Sequence, residues 1–254
     1  MAGFERYYKI LRLFSEEKGL WTVAEIAKSL NKPTSTIYRN VRELVAAGFL
    51  ESTVGSHFRL GSAIVEFDRT NSKTDPLIRS GLDYLEGCAA ASPVSCSIVL
   101  ARLYGNTVMC VADARTEKFN RVTSYERGRP MPITRGATSR AILAQLRGRR
   151  LNRVLQASEL KGDTEQGQFI TELKEIRSSR MSTTRGEVDP GLIGCAVPVT
   201  NKDLGIEASL SCIFVDDDTV SKVTPKVFAN LWSFAKLIEN QMQSVVDEIA
   251  ATTH

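Results

Sequence analysis

The 254-residue sequence predicts an α+β protein in two parts. A small helical domain closed by a β-hairpin is expected over residues 1–61, a linker helix and boundary over 62–76, and a larger domain of strands and helices over 77–254. Three observations predict this. Apolar residues recur at spacings of three and four through three short segments ahead of Gly48, which marks helices with one packed face. The stretch Asn71-Ser72-Lys73-Thr74-Asp75-Pro76 is polar and interrupts that period. Beyond it, runs of β-branched and apolar residues alternate with helical periods.

The totals exclude several functions. A hydrophobic share of 43% supplies ordinary buried cores, and a formal charge of +4 is mild, so any basic surface must be local. Five cysteines (Cys88, Cys96, Cys110, Cys195, Cys212) are an odd number without a C-x-x-C pair, against a disulfide framework or a thiolate zinc site. Reduced thiols in a cytosol fit this pattern. There are two histidines, His57 and His254, so a Ser-His-Asp or Cys-His device in the larger domain lacks its base, and histidine-rich metal sites are excluded with it. No catalytic residue, metal ligand or cofactor is therefore expected. With neither a signal segment nor an apolar run long enough for a bilayer, the expected location is the cytoplasm, away from the membrane.

Phe4, Tyr7, Tyr8, Leu11 and Phe14 give an opening helix with a heavy aromatic side, ending near Glu17-Lys18-Gly19. Thr22 and Glu25 form a capping box for a second helix with Val23, Ile26, Ala27 and Leu30 as its apolar stripe. After the Asn31-Lys32 turn, Pro33 suits the first turn of a third helix and Gly48 stops it. In this helix Ile37, Val41, Leu44 and Val45 share one side, while Ser35, Arg39 and Arg42 point the other way. Phe49 to Ser52 and His57 to Leu60, joined around Val54-Gly55-Ser56, read as a hairpin wing. The order is that of a winged helix-turn-helix, whose second helix enters a DNA major groove.

Chemistry agrees with that assignment. Arg39 and Arg42 can pair bidentately with guanine or hold phosphates. Thr34, Ser35, Thr36 and Tyr38 are read as phosphate anchors beside the positive end of the helix dipole, and Arg59 as a wing contact to backbone or minor groove. His57 reads as a surface residue near a turn. Glu43, beside this face, can repel phosphate or orient an arginine, and both roles stay open.

Several segments carry a resemblance to the IclR family of bacterial transcription regulators. They are Ile10-Leu11-Arg12-Leu13-Phe14, Val23-Ala24-Glu25-Ile26-Ala27, Pro33-Thr34-Ser35-Thr36-Ile37-Tyr38-Arg39, Gly48-Phe49-Leu50-Glu51 and Phe58-Arg59-Leu60-Gly61. The resemblance implies a winged helix-turn-helix bound to DNA as a dimer, followed by a GAF-like α+β domain that binds a small molecule.

In the larger domain, Leu77, Ile78, Leu82, Leu85 and Cys88 predict a helix. Cys96–Arg102 and Thr107–Ala112 predict paired strands, Ala137–Leu146 and Phe169–Ser178 two helices, and Leu192–Pro198 and Gly205–Phe214 two more strands. A closing helix from Pro225 towards Ile249 turns Val227, Leu231, Phe234, Leu237, Ile238 and Met242 inward. The arginines at 147, 149, 150 and 153 can extend a DNA path but read better as solvated surface between elements, and Asp216-Asp217-Asp218 can hold a cation but fits no complete ligand pattern and reads better as a polar turn.

The resemblance continues in Pro132-Ile133-Thr134-Arg135-Gly136-Ala137-Thr138-Ser139-Arg140-Ala141, in Gly194-Cys195-Ala196-Val197-Pro198-Val199 and in Gly205-Ile206-Glu207-Ala208-Ser209-Leu210-Ser211. In related regulators these segments line the effector pocket, which implies Gly136, Ala137, Cys195, Ser209 and Ser211 as effector-binding positions. Ser209 and Ser211 share a strand face, and helix-start N–H groups near Gly136 and Ala137 can receive a carboxylate. The sequence departs from the family at Ser139, where glycine is usual, and at Arg185, where some members place an acid. A cation at Arg185 favours an organic acid, aliphatic or aromatic; an exposed loop arginine is the competing reading. Cys195 reads better as a pocket wall or core thiol than as a nucleophile.

The expected protein is thus a regulator, dimer or tetramer, that binds a near-palindromic double-stranded DNA operator under control of a small organic acid. The alternatives are a carboxylate-processing enzyme tethered to DNA by its N-terminal domain, and a winged-helix module that binds protein.

Overall fold

The computed structural model describes residues 3–160 and 162–252, so His254 lies outside the described residues. The chain divides between Thr74 and Asp75 into two units. The first contains α1 (Glu5–Leu11), β1 (Trp21–Thr22), α2 (Val23–Leu30), α3 (Thr34–Ala46), β2 (Leu50–Ser52), β3 (His57–Leu60) and α4 (Ser62–Thr74). Ile10, Ile26, Ala27, Ile37, Val41, Leu44 and Leu50 form its core. The capping box is present: Thr22 Oγ1 accepts from Glu25 N, and Glu25 Oε2 accepts from Thr22 N at 2.8 Å. Strands pair in the order β1-β3-β2, so the wing gains a third strand, Trp21–Thr22, too short to leave a period in the sequence.

Two expectations for this unit need correction. The opening helix ends at Leu11 instead of near Glu17, because Leu13 N and Phe14 N bond to the carbonyls of Ile10 and Leu11, tightening the exit so that both side chains pack on the core. The linker helix does not break at Asn71; α4 runs to Thr74. Hydroxyls of Thr70 and Thr74 bond back to the carbonyls of Glu66 and Thr70, at 2.9 and 2.8 Å, and most of this helix faces water, so its polar residues carry little burial cost.

The second unit contains α5 (Pro76–Ala90), β4 (Cys96–Tyr104), β5 (Thr107–Arg115), β6 (Pro130–Met131), α6 (Gly136–Leu143), α7 (Gly148–Gln156), α8 (Asp163–Ser179), β7 (Ser182–Arg185), β8 (Leu192–Asn201), β9 (Ile206–Val215) and α9 (Val220–Thr252). Asp75 caps α5 through the N–H groups of Leu77 and Ile78, and its other oxygen takes Arg102 Nη1 at 2.7 Å. Six strands form one antiparallel sheet in the order β6-β5-β4-β9-β8-β7.

Alternation along the central strands gives that sheet two buried faces. Ile98 and Leu100, with Ile193, Cys195, Val197, Leu210 and Cys212, pack against α5 and α9. Val99, Ala101, Leu192 and Ile213 pack on the other face, with Ile142, Leu143, Leu151, Leu155, Phe169 and Leu173 from α6, α7 and α8. The basic run at 147–153 is therefore not a connection: it lies on α7, whose Leu151, Val154 and Leu155 are buried while the arginines face outward. Along α9, Leu237 is 41% exposed and Ala235 takes the inward position instead. Arg185 lies at the end of a strand, β7, and not in a loop.

Candidate functional site

The outer face of α3 is open. Pro33 is its N-cap, with Thr34 and Ser35 exposed and Thr36 half-buried just after it. Tyr38, Arg39 and Arg42 are exposed, and the Arg42 guanidinium lies 6.0 Å from the Tyr38 ring centroid. The helix can present this face because Ile37, Val41 and Leu44 hold the opposite side in the core. Buried Asn40 joins that inner side, a polar position the apolar period passes over. Arg59 is exposed on the wing and paired with Glu51 directly across the hairpin. Glu43 is engaged by the Tyr7 hydroxyl and lies 3.5 Å from Arg6 Nη2, which ties α3 to α1, and it lines the same surface hollow as Tyr38, Arg39 and Arg42.

The second candidate site is the first turn of α6, at a small cavity of about 20 Å³, room for roughly one water. Its walls include Tyr125, Gly136, Ala137, Thr184, Glu187 and Val188. Gly136 has φ +82°, and a β-carbon there would lie 2.8 Å from Val188 Cγ2 and 3.0 Å from the Tyr125 hydroxyl. Glycine is what lets the 186–191 connection close over the helix start. Burial pushes the Tyr125 phenol up from its ordinary range, so it remains a neutral hydroxyl.

Two donors of this turn already have acceptors. Gly136 N donates to Glu187 Oε2 at 3.1 Å, and Ala137 N to Thr184 Oγ1 at 3.0 Å. Glu187 Oε1 accepts from Arg140 Nη1 at 2.5 Å, and the Glu187 carbonyl from Arg135 Nη2 at 2.8 Å. Arg140 is one helical turn beyond Gly136, with its side chain 15% exposed. Asp189 pins the other end of the same connection by accepting from Ser124 N and Oγ at 3.0 and 2.5 Å.

Of the six effector-binding positions read from the sequence, Gly136 and Ala137 line the cavity. Ser209 and Ser211 are fully buried beneath α6: Ser209 Oγ donates to the Thr138 carbonyl at 3.1 Å, and Ser211 Oγ accepts from Thr138 Oγ1 at 2.9 Å. Ser139 donates to the Pro132 carbonyl at 2.9 Å. The structure does not bring Cys195 or Arg185 to the cavity. Cys195 alternates onto the α5/α9 face, where burial pushes its thiol up to about 11, so it is protonated and apolar in character. Arg185 is exposed and bonds Asp216 Oδ1 at 2.8 Å across the sheet's edge. Sequence reasoning missed Arg135, Arg140, Thr184 and Glu187. The arginines had a usable signal, since one precedes Gly136 and the other follows at i+4 on the same helix face; Thr184 and Glu187 come from about fifty residues away, as the 47- and 51-residue separations of their bonds show.

Among the described residues no group of three or more His, Cys, Asp or Glu is arranged to hold a metal, and no helix is long and apolar enough to cross a membrane.

A winged helix with an open basic face on its second motif helix, followed by an α+β domain with a small cavity at a helix start, defines the class of two-domain DNA-binding regulators. Family models place it more closely: the IclR helix-turn-helix domain matches residues 5–53, and the bacterial transcriptional regulator IclR C-terminal domain matches residues 83–239. The chain belongs to the IclR family of transcriptional regulators. It is 27% identical over 222 residues to the HTH-type transcriptional regulator BhcR of Paracoccus denitrificans, covering 82% of this chain and 75% of that protein. Its fold is similar to that of an IclR homolog from Microbacterium hydrocarbonoxydans solved in complex with 4-hydroxybenzoate. That match has a TM-score of 0.79 and 20% identity over 94% of this chain and 98% of the other. An IclR transcriptional regulator from Alicyclobacillus acidocaldarius matches with TM-score 0.76 and 21% identity over 94% and 96%.

Proposed function

We propose that this regulator binds a near-palindromic operator as a dimer or higher oligomer in the cytoplasm, and that a small organic acid bound at the start of α6 changes its operator affinity. The observation that carries the effector reading is the first turn of α6, where a carboxylate is held by the Gly136 N–H and the Arg140 guanidinium beside a small cavity. The complex of a fold relative with 4-hydroxybenzoate supports the same ligand class. Gly136 and Ala137 form the seat and Arg140 supplies its charge. Ser209 and Ser211 hold α6 on the sheet, while Cys195 and Arg185 have no contact with the acid.

On the DNA side, Arg39 and Arg42 read bases or grip phosphates. Thr34, Ser35, Thr36 and Tyr38 anchor the backbone, and Arg59 of the wing reaches DNA after exchanging its partner Glu51 for phosphate. Control is linkage: the acid shifts DNA affinity only as far as it prefers one conformer.

The test starts from an operator selected out of random-sequence DNA. Affinity is then measured with and without a panel of aliphatic and aromatic acids, alongside thermal shift, since a ligand of the folded state raises Tm. At least one acid is expected to raise Tm and change operator affinity. If no acid does either, the organic-acid assignment fails.

A further inference from the structure

The cavity beside Gly136 is far too small for an aromatic or branched acid, and its charged seat is filled by the chain's own Glu187. The two facts have one explanation. From the γ-carbon on, Glu187 presents to the helix start what a free carboxylate would present: one oxygen on the Gly136 N–H, the other on Arg140. The residues beside it close the space, with Val188 pressed against Gly136 and Asp189 latched to Ser124. Gly186 and Gly191, at φ +62° and +75°, bound the segment that carries all three.

We infer that Glu187 is a built-in competitor for the effector's seat: an organic acid enters by displacing the Glu187 carboxylate and its 186–191 connection, and takes over the Gly136 N–H and the Arg140 guanidinium. This rests on the effector reading above and adds to it the residue that must leave and the cation that stays. The exchange is carboxylate for carboxylate, so charge and hydrogen bonds at the seat are conserved. The entering acid's remaining atoms fill the space that the connection vacates. Apparent affinity is then the intrinsic affinity multiplied by the fraction of molecules whose seat is open, and removing the competitor raises that fraction towards one.

Propionate, the free form of the glutamate side chain, is the probe, used with the full-length protein. In the Glu187→Ala variant it is expected to raise Tm saturably at millimolar concentration. Wild type is expected to need at least ten times more, and adding Arg140→Gln to the variant should abolish the response. Sodium chloride at equal ionic strength is the control. Glu187→Gln, which keeps the size and loses the ion pair, carries the same comparison if the alanine variant does not fold. Equal propionate responses in wild type and variant, or none in either beyond the chloride control, overturn the inference. The two readings fail separately. Propionate binding gained by the variant, with no acid altering operator affinity, leaves the competition standing and removes the effector role. Acids that shift wild-type operator binding yet bind the variant no more tightly do the opposite.

Discussion

The outer face of α3 and the first turn of α6 are built from the same materials, a helix start with hydroxyls or glycine and two nearby arginines, and the fold treats them oppositely. On α3 the arginines stand in water: Arg39 and Arg42 are exposed, and the acid beside them, Glu43, is engaged by Tyr7 and Arg6. On α6 Arg135 is also exposed, but the helix start and most of Arg140 are buried: Glu187 takes the Gly136 N–H and Arg140 Nη1, Thr184 takes the Ala137 N–H, and Glu172 lies 3.2 Å from Arg140 Nε. A surface that meets a large polyanion can stay open because water screens its charges until DNA arrives. In a buried seat each donor left unpaired costs on the order of 1–3 kcal/mol. The second site therefore carries a resident acceptor, and any ligand of it must be an exchange partner.

The largest effect should come from the open face. Arg39→Ala combined with Arg42→Ala is expected to weaken operator binding by roughly 100-fold or more, as each arginine is worth about 1–3 kcal/mol if it reads a base. Stability should stay within about 0.5 kcal/mol, because neither side chain packs. Operator titration beside urea unfolding measures both, and an intact affinity would erase the contrast with α6. At the closed site the order reverses. Gly136→Ala should destabilise the protein by about 2 kcal/mol through a left-handed backbone and a clash with Val188, with DNA contacts untouched. Denaturant midpoints measure this, and a neutral result would mean that the 186–191 connection gives way easily.

The smallest effect sharpens how the open face is held. Thr22→Ala removes the cap of α2 and should cost about 1 kcal/mol by urea unfolding. Its capping partner Glu25 is held down from an ordinary value of 4.5 to about 2, first by the Lys18 ammonium hydrogen bond and then by the Thr22 N–H and hydroxyl. A depressed folded pKa stabilises above the unfolded value and is lost as pH falls. Acid titration of wild type should therefore show this contribution disappearing between about pH 4.5 and about 2, and Glu25→Gln should remove that dependence.

The elements that bear on DNA were legible because their signals are local. The Thr22/Glu25 box, the Ile37-Val41-Leu44 stripe and the hairpin around Gly55 each lie within a few residues of sequence. Apolar runs likewise marked β8 and β9, but left open which face of each strand would meet α6. Cys195 was placed by resemblance in the pocket, whereas its register beside Ile193 and Val197 turns it to the α5/α9 side. Arg185 had two readings, a pocket cation and an exposed arginine; the pairing of β7 with β8 leaves it exposed and sends it towards Asp216.

What the sequence by itself determined is the winged helix, its basic face and the helix start at Gly136, since caps, periods and turn glycines act between neighbours along the chain. The tertiary structure alone decided what occupies that helix start. Glu187 reaches Gly136 across 51 positions because β7 and β8 lie at the sheet's edge beside α6, a juxtaposition fixed by strand order and by two packed faces. No local pattern encodes it: a glutamate between two glycines looks like any exposed turn until the sheet brings it to the Gly136 N–H and the Arg140 guanidinium.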